Sequence, residues 1–414
     1  MRKIIKNAAQ LLTVSRVDKI QTDPRAALGI IENGAVVIEK DRIAWVGKTE
    51  DLPEGLHPDI VIDASSKVVM PGLIDPHTHV VFAGSREKEF ADRLLGRAYR
   101  DIAITEGGIG STMLATNAAS KEELYNLAYK RLDRMLRRGT TTIEAKSGYG
   151  LTTKDEIKIL QTIKELQDTH PIDLVPTFMA LEVPSEYKNK KKDYIDLMTS
   201  EMIPRVAEEK LAEFCGVFCD IDTYSLEETR HILEVGRQYG LEARMYADAF
   251  SPFKAAEFAA EMQVAAASHL LMISDRGIEK LAESDVIAEL LPGVPFFTAF
   301  VRYAPARRML EAGVRVALGT GCNPGSCMTE ALPLIMTIAC TQMKMTPAEA
   351  ILGVTAQAAR SIRRFHEIGS LEVGKKADII ILNVPNYQYF LYHFGVNHVN
   401  RVIKNGKIVM ERQT

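Results

Sequence analysis

Val68-Val69-Met70-Pro71-Gly72-Leu73-Ile74-Asp75-Pro76-His77-Thr78-His79 is the stretch whose reading decides the fold. An apolar, β-branched run ends in two imidazoles spaced i and i+2, and in a strand such side chains point to the same side. Two neutral imidazoles presented together where a parallel barrel strand ends make half of a divalent-metal site. Two structural histidines closing a strand are the plainer alternative.

Outward from this stretch, strand-like and helix-like runs alternate. Residues 141–146, 173–178, 215–220, 242–246, 264–269, 286–291 and 314–319 read as strands, with helices at 121–138, 154–168 and 226–239. With the histidine strand this gives eight βα units, the count of a (β/α)8 TIM barrel, expected over residues 66–369. The ends of the chain differ from its middle. Residues 4–8, 35–38 and 43–47, and later 379–382 and a hairpin at 401–409 with an Asn405-Gly406 turn, are strands without intervening helices. They predict one small composite β domain made of residues 1–65 and 370–414.

Composition narrows the partners. The 414 residues are 46% hydrophobic and 25% charged, enough for one large α/β unit and a smaller one. A net charge of −3 has no polyelectrolyte signature, which argues against nucleic acid or an anionic membrane as partner. No apolar run reaches ~18 residues and no charged-apolar-small leader opens the sequence, so a cytoplasmic protein is expected. The five cysteines are odd in number and mostly in apolar contexts, the pattern of reduced thiols.

Polar residues at or just after strand ends are candidates for chemistry. Arg86 suits two-pronged capture of a carboxylate, or else it pairs with Glu87 or Glu89. Tyr149, between two glycines after a strand, can reach a ring nitrogen or carbonyl, or else packs a turn. His269 closes the sixth strand as a general acid or base, or as a satisfied structural histidine. Glu144 and Lys146 share one strand face and are expected to form an inward ion pair.

Four segments together carry a resemblance: 71–90 (PGLIDPHTHVVFAGSREKEF), 146–151 (KSGYGL), 323–326 (NPGS) and 392–399 (YHFGVNHV). They resemble the imidazolonepropionase-like members of the amidohydrolase superfamily, nearly end to end. The resemblance implies a TIM barrel flanked by a composite β-sandwich, and a homodimer. It also implies a metal held by the His-x-His pair, a His ending strand five and an Asp ending strand eight. His77 and His79 stand in place, but Tyr246 occupies the strand-five position and Gly321 the strand-eight position. Ala249 replaces an acidic residue beside strand five, and Glu182 replaces a substrate-facing His, whereas Arg86, Tyr149 and His269 are kept.

Zinc or iron wants about four donors, so the cofactor is left open and any such ion is expected to be weak or absent. Tyr246 and Glu182 are the replacement donors if one binds, and Asp248 is expected to orient His79 or Tyr246. The expected function is hydrolysis of a C–N bond in a carboxylated nitrogen heterocycle, a cyclic amide, by a site rebuilt around the histidine pair. Arg86, Tyr149 and Glu182 are its expected substrate contacts, and His269, Glu182 and Tyr246 its proton-transfer groups. Two alternatives stand beside it. One is a catalytically silent, metal-free paralogue that binds a heterocycle or a partner. The other is a true imidazolonepropionase of histidine degradation.

Overall fold

The computed structural model describes residues 1–17, 22–95 and 108–412; Gln413 and Thr414, inside the expected terminal boundary, lie outside the described residues. One sheet is built from both ends of the chain. It contains β1 (Arg2–Leu12), β2 (Ile30–Glu39), β3 (Arg42–Lys48), β4 (Ile60–Asp63) and β5 (Val68–Pro71). From the far end come β14 (Ile379–Leu382), β15 (Val399–Lys404) and β16 (Lys407–Glu411). The seam is β5 against β14, antiparallel, with Val68 opposite Leu382 and Pro71 opposite Ile379. Ile5, Val36, Ile38, Val69, Ile379, Ile381 and Ile403 form the buried cluster of this sheet. The β15–β16 turn has φ 48° at Asn405 and 70° at Gly406, the left-handed pair that a two-residue hairpin loop uses.

The opening stretch is not one strand but two. Gly72 carries the chain out of the terminal sheet, and a Cβ there would fall 2.3 Å from Thr141 Oγ1. Only glycine permits that crossing. Val68–Pro71 therefore pairs with the terminal strands, beyond the expected boundary at residue 65.

The barrel follows: β6 (Leu73–Thr78), β7 (Thr140–Lys146), β8 (Asp173–Ala180), β9 (Phe214–Cys219), β10 (Glu242–Ala247), β11 (Ala266–His269), β12 (Ile287–Leu290) and β13 (Val316–Leu318). Each is parallel to the next. The ring is drawn together where β6 meets the segment after β13: His79 N donates to Cys322 O at 2.8 Å, and Gly321 N to His77 O at 3.0 Å. These strands read as near-continuous apolar runs because helices cover them outside and side chains fill them inside. The helices Lys121–Leu136, Thr153–Thr169 and Leu226–Gln238 start at Ser120, Thr152 and Ser225. Each hydroxyl accepts a backbone N–H of the first turn, which stops the helix fraying toward the strand before it. Ile74, Val175, Phe214, Ile287 and Ile362 pack together as a separate buried cluster. The polar strand ends converge at the barrel mouth.

Candidate active site at the barrel mouth

Strand register sets the first layer of the site. Tyr246 lies beside Phe218 on one side and Ser268 on the other, and Ser268 lies beside Glu289. From β6, His77 and His79 reach the same phenol: Tyr246 Oη is 3.0 Å from His77 Nε2 and 2.7 Å from His79 Nε2. His77 Nδ1 is 3.1 Å from Ser268 Oγ, which donates to Glu289 Oε2 at 2.9 Å. Glu289 is ion-paired with Arg244, whose guanidinium also donates to Pro76 O at 2.8 Å.

This arrangement has a direction. Ser268 spends its one proton on Glu289, so its oxygen receives the Nδ1–H of His77. Nε2 of His77 is then an acceptor and takes the Tyr246 proton. The phenol oxygen in turn receives the Nε2–H of His79. Burial disfavours charge throughout this row. Desolvation, followed by the nearby Lys146 cation, holds His77 well below the ordinary imidazole range and His79 down to about 3. Desolvation likewise pushes the Tyr246 phenol well above its usual value, reinforced by the Glu144 charge.

A cavity of about 460 Å³ opens over this layer, within the range of small-molecule sites. His77, His79, Tyr246, His269, Tyr149 and Arg86 all line it. His269 has φ 75°, a left-handed conformation uncommon for a side-chain-bearing residue, which turns its ring out of the strand direction at the strand end. Its ring lies 4.8 Å from that of Tyr246 and 5.8 Å from that of His77, centroid to centroid. Burial and then the Lys146 charge lower it to about 4, leaving a neutral imidazole facing the cavity. Lys146 itself pairs with Glu144 at 2.5 Å, the inward ion pair expected from their spacing.

Tyr149 owes its place to a buried carboxylate the sequence reading passed over. Glu156 accepts N–H bonds from Gly148, Gly150 and Leu151 at 2.9, 2.7 and 2.8 Å, and so folds the loop that presents the tyrosine. Arg86 is 8% exposed and gives Nε and Nη2 to Glu89 Oε2, at 2.9 and 2.7 Å. Its guanidinium packs close against the loop after β13, where a Cβ on Gly325 would fall 2.0 Å from Nη1. Asn323 shapes that loop by accepting from the N–H groups of Gly325 and Ser326, both at 2.8 Å.

Two expectations are corrected. Glu182 is absent from the cavity lining, although its neighbour Leu181 is present. Its carboxylate turns back to accept the N–H of Val183 at 3.2 Å, and its surrounding charges are Lys188, Asp222 and Lys191. Asp248 orients neither His79 nor Tyr246. With φ 46° it leaves the strand direction and accepts from the N–H groups of Phe253, Ala255 and Ala256, at 2.9, 3.0 and 3.0 Å. It thus caps the helix Ala255–Glu261. Arg93, a second guanidinium lining the cavity, and the Arg244–Glu289–Ser268 series were also missed. The i, i+2 placement of Arg244 and Tyr246 on one strand was the available signal for the latter.

The residues present do not fit the divalent ion that the resemblance implies. Among the described residues no three His, Cys, Asp or Glu side chains converge as a metal-holding group. The two imidazoles that remain already share one hydroxyl at hydrogen-bond distances, which engages the two nitrogens that a zinc ion would need.

Comparison with known proteins bears on the same features. Residues 68–409 match the model of the amidohydrolase family. The chain is 49% identical over 414 residues to an imidazolonepropionase from Geobacillus sp., covering 98% of this chain and 97% of that one. It is also 49% identical to an imidazolonepropionase from Brevibacillus brevis, again with 98% and 97% covered. Among solved structures it is similar in fold to an A. niger ochratoxinase (TM-score 0.72, 18% identity, 99% and 96% covered). An adenosine deaminase from Xanthomonas campestris is similar as well (TM-score 0.71, 16% identity, 99% and 93% covered). Full-length identity at this level, on a barrel that presents His77 and His79 where its strands end, identifies the chain as a member of the amidohydrolase family, among its imidazolonepropionase-like proteins.

Proposed function

We propose that this protein hydrolyses a ring C–N bond of a carboxylated imidazolone, the imidazolonepropionase reaction. The observation that carries this reading is 49% identity, over nearly the full length of both chains, to relatives named for that activity. This favours the ordinary substrate over the diverged heterocycle expected from the sequence. The cavity supports the reading, because Arg93 and Arg86, the latter ion-paired with Glu89 as its spacing also allowed, bring guanidinium groups to it for a carboxylate arm, and Tyr149 brings a hydroxyl for the ring. In the step we propose, a water oxygen attacks the ring carbonyl carbon while neutral His269 takes the water proton. The C–N bond then breaks, and the proton passes to the departing nitrogen, leaving a carboxyl group and an N–H.

A second reading is a diverged or silent site that binds such a ring without this turnover. The observation favouring it is Tyr246, hydrogen-bonded to both His77 and His79, with Gly321 and Ala249 adding no functional group. One experiment separates the two: turnover of imidazolonepropionate and of hydantoin-type ring amides by the wild type and His269→Ala, with calorimetric binding of each. Ring opening of imidazolonepropionate that falls ~100-fold or more in His269→Ala supports the first reading. Binding of the ring without its opening refutes it. A cytoplasmic homodimer belongs to the same proposal; a monomer at physiological concentration in analytical ultracentrifugation would remove that part.

A further inference from the structure

We propose that the Tyr246 hydroxyl stands in place of the family's divalent ion, so that this barrel holds a closed His77–Tyr246–His79 unit and takes up neither zinc nor iron. Three independent features of the geometry lead there. The first is the hydroxyl's position. It meets both Nε2 atoms at once, at 3.0 and 2.7 Å, and therefore sits at the point toward which both imidazole lone pairs would have to converge on an ion. A phenol has one proton, so in this closed unit one of the two imidazoles presents its own Nε2–H, and that proton would have to move to Nδ1 before the nitrogen could ligate.

The second feature is confinement. The Tyr246 ring is 4% exposed and is packed by His77 at 4.8 Å, His269 at 4.8 Å and Phe218 at 5.1 Å between centroids. Displacing it for an incoming cation would break all three ring contacts and move the phenol into the cavity it lines.

The third is charge. Lys146 and Arg244 already balance Glu144 and Glu289 beneath the histidines. A dication adds two positive charges there, and Gly321 and Ala249 provide no carboxylate to offset them. Gly321 is joined to His77 through its N–H, at 3.0 Å, so the missing carboxylate is missing right beside the site.

The proposal holds whichever ring the cavity accepts, and its readout is metal content, independent of turnover. Full-length protein produced in medium supplemented with zinc and iron is dialysed against chelator and assayed by inductively coupled plasma mass spectrometry. The wild type is expected to carry no more than about a tenth of an ion per chain, against about one in a complete site. The double variant Y246H/G321D is expected to gain about one zinc per chain, since it restores an imidazole and a carboxylate. Gly321 has φ 61°, a region aspartate enters more readily than most residues, and an added Cβ meets nothing closer than 3.3 Å. Three results overturn the proposal. One is about one ion per wild-type chain after chelator. Another is a visible phenolate-to-iron charge-transfer band in the wild type. The last is a folded Y246H/G321D protein as metal-poor as the wild type. Should the double variant fail to fold, the wild-type measurement decides alone.

Discussion

Tyr246→Phe tests the layer beneath the cavity most directly. The substitution keeps the ring that packs on His77, His269 and Phe218, and deletes only the hydroxyl bonded to the two Nε2 atoms. No large void is created, so the effect comes from polar groups left without partners. His77 and His79 are 1% and 4% exposed, and each Nε2 loses its hydroxyl partner. A buried polar group stranded in this way costs roughly 1–3 kcal/mol, so two of them sum to ~2–6 kcal/mol. The cavity alongside lets water reach part of the gap, which places the expected loss in the lower half, ~2–4 kcal/mol. Urea unfolding followed by far-UV circular dichroism should show a lower midpoint with an unchanged slope. A variant within ~0.5 kcal/mol of the wild type would refute the reasoning, because the hydroxyl would then be satisfying neither nitrogen.

Other outcomes follow from the same geometry. His77, His79 and His269 are held neutral by burial, His79 at about 3 and His269 at about 4. Their folded values lie below the ~6.5 of an unfolded histidine, so their contribution is intact above ~6.5 and is lost as pH falls, by ~1.4 kcal/mol per unit for each. A urea midpoint that stays flat from pH 7.5 to 5.5 would contradict this. Glu182→Gln should leave ligand affinity and turnover within about twofold, since its side chain is outside the cavity lining; steady-state kinetics on the ring substrate checks it. Arg86→Lys should weaken binding of a carboxylated ring by ~10-fold or more, and of its uncharged amide analogue far less, because a lysine cannot hold Glu89 through two N–H groups and still offer another to the ligand. Calorimetric titration of both ligands reads the difference.

The barrel and the terminal sheet were legible because each rests on local pattern. Seven apolar runs between amphipathic helices, a histidine strand before them, and strands without helices at either end leave few topologies open. Candidate residues at strand ends were legible for the same reason: parallel barrels expose chemistry where strands finish, and His77, His79, Arg86, Tyr149, Tyr246 and His269 all line the mouth. Glu182 and Asp248 were misjudged because position near a strand end says nothing of rotamer or backbone turn. The first folds back on its own loop, and the second turns through a positive φ to cap a helix.

The sequence by itself therefore determined the fold and the family, and it put Tyr246 and Gly321 at strand ends where the resemblance implies ligands. Where the Tyr246 hydroxyl falls was decided only in three dimensions. Whether a phenol coordinates, points away or plugs depends on where its oxygen falls relative to two nitrogens on β6, far away along the chain. That separation is fixed by barrel closure and strand register, which local sequence does not encode. The same holds for Arg244, Glu289 and Ser268. Each is unremarkable in its own segment, and only the staggering of three adjacent strands lines them up behind His77 and sets the direction of its hydrogen bonds.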